Sequence, residues 1–172
     1  TEYEDVITKH FIDSLALSRV MPLKGKKVKL LDMGTGAGFP GLPLKIAFPE
    51  LEVTLMDSLN KRIVFLQEVI DALGLTGITA VHGRAEEAAA KTEYREKFDF
   101  CVSRAVARLT SLSEFCLPFV KQGGFFVPYK SGEIEEELAE GKFAIRELGG
   151  EFKKQYSFSL PNSDIERTLL VI

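Results

Sequence analysis

The chain has only two cysteines, Cys101 and Cys116, in 172 residues. Both sit in apolar runs. They read as buried thiols of a reducing compartment, neither a disulfide framework nor a metal site. A surplus of positive charge is missing too. The formal net charge is −3, which argues against a domain that clamps nucleic acid by its overall charge but leaves room for a local basic face. No apolar run approaches the roughly 20 residues of a membrane span. No secretory leader is visible: the first residues, Thr1-Glu2-Tyr3-Glu4-Asp5, are acidic and polar. Internal repeats and low-complexity tracts are not evident. These absences predict a cytoplasmic protein without membrane contact and without a metal site.

The composition is otherwise globular, with 45% hydrophobic and 27% charged residues, which excludes a disordered chain. The length suits one domain with a substantial core over 1–172 and is too short for two comfortable ones. Residues 1–25 read as a helical part and 26–172 as the core domain.

The core is organised around KVKLLDMGTGAGFPG at 27–41. Lys27 to Leu31 reads as a short buried strand. It breaks into a glycine-rich turn from Gly34 to Gly41, and Leu42 to Phe48 reads as a helix. Strand, glycine turn and helix begin a nucleotide-binding βαβ unit. Gly34, Gly36 and Gly38 can take positive φ and let backbone N–H groups approach a ligand closely. The same residues also fit an ordinary strand-to-helix turn. Asp57 adds weight: it ends a second strand-like run, Leu51 to Met56, roughly 20 residues on, where a carboxylate accepts ribose hydroxyls. Its other reading is a helix cap together with Ser58.

Several further residues have two readings. His10, Asp13 and Ser14 share one helical face, as a local hydrogen-bonded cluster or as pocket lining. Asn60 to Leu73 reads as an amphipathic helix with Ile63, Val64, Phe65, Leu66, Val69, Ile70 and Leu73 as its apolar set. Lys61 and Arg62 lie in its first turn, the unfavourable end for cations, as a solvated face or as anion contacts. After a third strand at Ile78 to Val81, Glu86 or the amide of Ala85 is placed to meet a purine; Glu86 and Glu87 equally suit a first helical turn. A fourth strand at Phe98 to Val102 ends in Ser103-Arg104-Ala105-Val106-Ala107-Arg108. Arg104 and Arg108 stand there at the switch point of the sheet, as phosphate ligands, carboxylate clamps or stacking planes.

A helix from Thr110 to Val120 follows, with Lys121 to Gly124 as its stop. Phe125 to Tyr129 is a fifth strand with Lys130 at its end, and Glu133 to Leu148 an acidic helix. Phe152 to Leu160 and Thr168 to Ile172 form a closing antiparallel hairpin. The alternation predicts an α/β fold with a mostly parallel seven-stranded sheet and helices on both faces. The closing hairpin separates it from a dinucleotide-binding domain, although Gly36-x-Gly38-x-x-Gly41 fits the dinucleotide pattern literally. The arrangement matches the Rossmann-like class I S-adenosylmethionine-dependent methyltransferases.

HFIDSL at 10–15, LLDMGTGAGFPGLPLKI at 30–46, LMDSLNKRIVFL at 55–66, GRAEE at 83–87, SRAVARL at 103–109 and LPFVKQGGFFVPYK at 117–130 together carry a resemblance. The chain resembles the bacterial small-subunit ribosomal RNA methyltransferase G family, also called glucose-inhibited division protein B, over nearly its whole length. The resemblance implies S-adenosylmethionine as cofactor, N7 of one guanine as acceptor, and small-subunit rRNA or the small ribosomal subunit as partner. It implies Gly34, Phe39, Ala85, Glu86 and Arg104 as cofactor contacts, beside Gly36, Gly38 and Asp57 read from the physics above. It implies no obligate protein partner. Guanine N7 carries a lone pair and no proton, so no general base is expected and no catalytic residue is assigned. Arg108, Lys61, Arg62 and Lys130 are candidate RNA contacts. The family usually has a longer helical N-terminus and often a basic C-terminal tail. Two other functions share these features: a methyltransferase of the same fold acting on a small molecule or protein, and a non-catalytic nucleotide- or RNA-binding module.

Overall fold

The computed structural model describes residues 3–104, 107–132 and 134–172. Ala105 and Val106 of the SRAVARL stretch, Glu133 at the expected start of the acidic helix, and Thr1 and Glu2 lie outside the described residues. Seven strands form one sheet: β1 (Lys29–Met33), β2 (Glu52–Asp57), β3 (Ile78–His82), β4 (Phe98–Ser103), β5 (Val120–Lys130), β6 (Lys154–Ser159) and β7 (Glu166–Val171). The order is β3-β2-β1-β4-β5-β7-β6. β1 to β5 run parallel, and β7 enters antiparallel between β5 and β6. This is the arrangement expected from the alternating pattern and its closing hairpin. Residues 160–165 are too few for a crossover helix, so the last two strands must pair antiparallel.

The helices are α1 (Tyr3–Val6), α2 (Gly41–Ala47), α3 (Asn60–Ala72), α4 (Ala85–Ala89), α5 (Leu109–Cys116) and α6 (Glu135–Glu147). A π-helical turn at Ile7–Ile12 and a 3₁₀ turn at Leu15–Arg19 continue α1. Successive strand residues point to opposite faces, and so two cores form. Leu30 packs with Leu44, Leu66 and Leu17 on one face, and Leu31 and Met33 pack with Leu112, Cys116 and Ile145 on the other. Cys101 and Cys116 are buried free thiols, and burial pushes the Cys101 thiol well up.

Two expectations change. The stretch Lys121 to Gly124 is not a stop after a long helix. The helix ends at Cys116, and β5 begins at Val120. Pairing with β4 then jumps from Phe98↔Val120 to Phe100↔Phe125, so the glycines make an irregular excursion inside the strand, with Gly123 at φ +77°. Glycine here accommodates a bulge rather than ending an element. The apolar face of α3 is also narrower than its composition implied. Leu66 and Ile70 are buried, whereas Val64, Phe65 and Leu73 are exposed. Only the residues three or four apart share the core-facing stripe.

Candidate functional site

The site lies at the C-terminal ends of the parallel strands. There the glycine turn follows β1, Asp57 ends β2, Ala85 opens the helix after β3, and Arg104 follows β4. Chain reversal at each strand end leaves side chains and backbone facing the same crevice.

The turn after β1 is tied from below. Asp32 is fully buried, and its Oδ2 accepts from the Thr35 hydroxyl at 2.6 Å and from the Gly41 amide at 2.8 Å. Its Oδ1 has no hydrogen-bond partner among the described residues. Burial raises this carboxyl to about 6, against the opposing hydrogen bonds of Thr35 and Gly41. The turn is tied from the side by Asp57, which is 3% exposed. Asp57 Oδ2 accepts from the Gly36 amide at 3.0 Å, and Oδ1 from the Leu59 amide at 3.0 Å. Arg62 closes an ion pair on Oδ2 at 3.1 Å. Asp57 therefore does order the entry to α3, through an Asx-type turn onto Leu59 rather than a cap shared with Ser58.

A cleft of about 400 Å³ opens beside this junction. Gly34, Asp57, Ala85 and Glu86, four of the residues that the sequence marks as candidate cofactor contacts, line it, and so does Arg62. Its apolar wall is Met33, Met56, Leu112 and Phe115. None of those four was marked as a site residue. Their hydrophobicity signalled core, and only the sheet order brings them to a strand end.

The other predicted cofactor residues lie around the cleft and do not line it. The Gly36 amide is spent on Asp57. Gly38 holds φ +98°, and a Cβ there would overlap Leu42 and stand 2.9 Å from Leu66 Cδ2. It is a packing glycine as well as a turn glycine. Phe39 meets His10 and Phe11, with ring centroids 5.4 and 5.3 Å away. Arg104 turns to the opposite side of its own backbone. Its Nη1 donates to Asp13 at 2.9 Å, and its guanidinium sits 5.4 Å from the Phe39 ring.

Asp13 is the second organising carboxylate. It is fully buried and accepts from Arg167 Nε at 2.7 Å and Nη2 at 2.9 Å, besides Arg104. Of the two readings of His10, Asp13 and Ser14, the contacts bear on the hydrogen-bonded cluster, which reaches well beyond its own helix. Ser14 bonds locally to the His10 carbonyl, while Asp13 fixes the N-terminal segment to β4 and β7. Arg167 was not singled out from sequence, because an arginine at a hairpin strand start has no local signature.

The RNA candidates divide. Lys61 is exposed. Arg62 is engaged by Asp57. Arg108 pairs with Glu140, and Lys130 pairs with Glu137 at 2.6 Å and donates to the Ala107 carbonyl at 2.9 Å. The acidic first half of α6 thus pairs with Arg108 after β4 and with Lys130 at the end of β5.

The model of the family described as rRNA small subunit methyltransferase G matches residues 1–165. The ribosomal RNA small subunit methyltransferase G of Lachnoclostridium phytofermentans is 62% identical over 172 residues, covering 100% of this chain and 71% of the relative. That of Limosilactobacillus reuteri is 53% identical over 174 residues, covering 100% of this chain and 72% of the relative. Among solved structures, a SAM dependent methyltransferase from Aquifex aeolicus aligns with a TM-score of 0.69 at 16% identity, covering 99% of this chain and 93% of that one. A precorrin-6y C5,15-methyltransferase from Geobacter metallireducens aligns at 0.65 and 11% identity, covering 93% and 86%. These two share the fold: a Rossmann-like class I methyltransferase sheet with flanking helices.

Proposed function

Because this chain belongs to the rRNA small subunit methyltransferase G family, we propose that it transfers a methyl group from S-adenosylmethionine to N7 of a guanine in small-subunit ribosomal RNA. The observation that carries the cofactor is the cleft at the ends of β1 to β4, with Asp57 at one end and an apolar wall at the other.

The residues present suit an adenosyl group. Where a Cβ of Gly34 would project, no atom of the described residues lies within 4 Å, which leaves room for a ligand against the backbone at the end of β1. Asp57 is placed to accept from the two ribose hydroxyls. A carboxylate has about four acceptor sites, and Arg62 on its Oδ2 is half exposed and free to withdraw. Met33, Met56, Leu112 and Phe115 offer an apolar slot for the purine. The same geometry disfavours a dinucleotide. Its pyrophosphate would sit at the start of α2, but there the Gly41 amide is already held by Asp32, and Leu42 donates to the Gly38 carbonyl at 2.7 Å. A phosphate would meet a carboxylate where it needs donors.

S-adenosylmethionine supplies, when bound, an electrophilic methyl group on a sulfonium. The chain's own part is placement. N7 has a lone pair and no proton, so the protein needs no base and contributes by holding acceptor and donor in line. Asp57 and the glycine turn fix one side of that alignment. Ser103, the last residue of β4, ties that strand end to β1, its Oγ donating to the Met33 carbonyl at 2.9 Å.

Calorimetry with S-adenosylmethionine and with NAD tests the cofactor, and binding of NAD alone overturns the reading. Tritiated cofactor offered with naked rRNA, free small subunits or protein extract tests the acceptor. Label confined to protein defeats the RNA assignment.

A further inference from the structure

A second cavity, of about 450 Å³, lies beside Arg104. The N-terminal segment roofs it with Lys9 and His10; Arg104, Lys130 and Arg167 reach it from the ends of β4, β5 and β7, and Glu137 from α6. The two cavities are lined by neighbouring residues: Ser103 and Ala107 face the first and Arg104 faces the second, while Lys130 Nζ donates to the Ala107 carbonyl.

The charge there is unlike that of the chain. Lys9, Arg104, Lys130 and Arg167 face Asp13 and Glu137, with Asp5 pairing Lys9 at 3.0 Å. A positive surplus remains in a chain whose net charge is −3. Asp13 does not compete with an incoming anion, because it is fully buried and both its oxygens are taken. The side chains of Arg104, Lys130 and Arg167 are only 17%, 10% and 14% exposed. Their charge is screened less than that of a surface residue. An aromatic group outside the lining reaches them through Phe39, whose ring lies 5.4 Å from the Arg104 guanidinium. Phe11 follows His10 in the chain, is 43% exposed, and meets Phe39 of the glycine turn edge-on.

A partly buried cationic cavity next to an exposed ring is what a splayed nucleotide requires: cations for the phosphate and a face for the base. We propose that this cavity holds one unpaired nucleotide of the acceptor RNA, its phosphate among Lys9, Arg104, Lys130 and Arg167 and its base against Phe11. The proposal rests on the reading of the chain as a ribosomal RNA methyltransferase and names how that acceptor is gripped. A paired base is held in its stack and cannot lie on a protein ring, so the nucleotide must be unpaired or flipped.

Lys9 and Phe11 are both nearly half exposed, so Lys9→Gln and Phe11→Ala test the cavity without removing core, and thermal unfolding checks each fold. The readouts are Kd of the full chain for small-subunit rRNA over a range of salt, and KM for the same RNA with tritiated S-adenosylmethionine. Lys9→Gln should weaken binding and reduce the slope of log Kd against log salt by about 0.7, the value for one phosphate contact on single-stranded nucleic acid. Phe11→Ala should raise Kd and KM about tenfold, in the range of one base–aromatic stack, with the salt slope unchanged. Wild-type Kd, KM and slope in both variants, with methyl transfer to rRNA intact, overturn the cavity and leave the methyltransferase reading standing. A wild-type chain that binds the cofactor but transfers no methyl to rRNA overturns that reading and the cavity with it.

Discussion

Replacing Asp57 by Ala separates its two jobs. The carboxylate accepts amides from Gly36 and Leu59, both at 3.0 Å, and carries Arg62 at 3.1 Å. Hydrogen bonds to a charged group contribute roughly 1.5–3 kcal/mol each. Leu59 is exposed and Gly36 half-buried, so water re-solvates both amides and the lower end applies, about 3 kcal/mol for the two. The Arg62 pair adds at most about 1 kcal/mol, because its guanidinium is half in solvent. Together these come to about 3–4 kcal/mol, which in a domain of this size lowers Tm by roughly 6–16 °C. Cofactor affinity should fall separately by the ribose contact, about 1.5–3 kcal/mol, or roughly 10- to 150-fold. Scanning calorimetry reads the first loss, and titration calorimetry at a temperature where the variant is folded reads the second. Arg62→Gln is the control: it should move Tm by no more than about 4 °C. An unchanged Kd in Asp57→Ala, with the expected fall in Tm, refutes the cofactor role and leaves Asp57 as the lock of the turn alone.

The buried Asp32 makes stability depend on pH. Its folded pKa, about 6, lies above the ordinary aspartate value of 3.8 because burial disfavours the charged form, so the native state favours the protonated form. Stability from this group is present below pH 4 and lost as pH rises through 6, by roughly 3 kcal/mol. The unfolding free energy of the wild type minus that of Asp32→Asn should therefore fall between pH 4 and 6 and level off above 7; a difference flat with pH refutes it. Gly38→Ala should cost about 3 kcal/mol in urea unfolding, since the Cβ meets Leu42 and Leu66 at a φ of +98°. Gly34→Ala meets no neighbour within 4 Å. It should cost about 1–2 kcal/mol of backbone strain and weaken S-adenosylmethionine binding more than it weakens the fold. Asp13→Ala leaves Arg104 and Arg167 without their shared carboxylate, and should cost about 3–5 kcal/mol by the same urea assay. A loss under 1 kcal/mol would mean the N-terminal segment is held by its apolar contacts.

Local chemistry was legible in the sequence. Alternating strand and helix patterns, the glycine turn after β1 and the carboxylate after β2 determined the sheet, its helices and the position of the crevice. Each depends on residues a few places apart, and the backbone rules that govern them act at that range. Gly34, Asp57, Ala85 and Glu86 were found for the same reason: each sits at the end of a recognisable element. Tertiary structure alone decided the rest. It brought Leu112 and Phe115 from α5 to the cleft, and it turned Arg104 away from that cleft toward Asp13, 91 residues earlier. It gave Arg167 a partner 154 residues away. It also buried Asp32 under the turn, with one oxygen unpaired among the described residues. Pairings of that separation leave no periodic trace along the chain, because only the packed sheet sets which charges are desolvated together. The direction in which an arginine points is fixed by the carboxylate that the fold buries beside it.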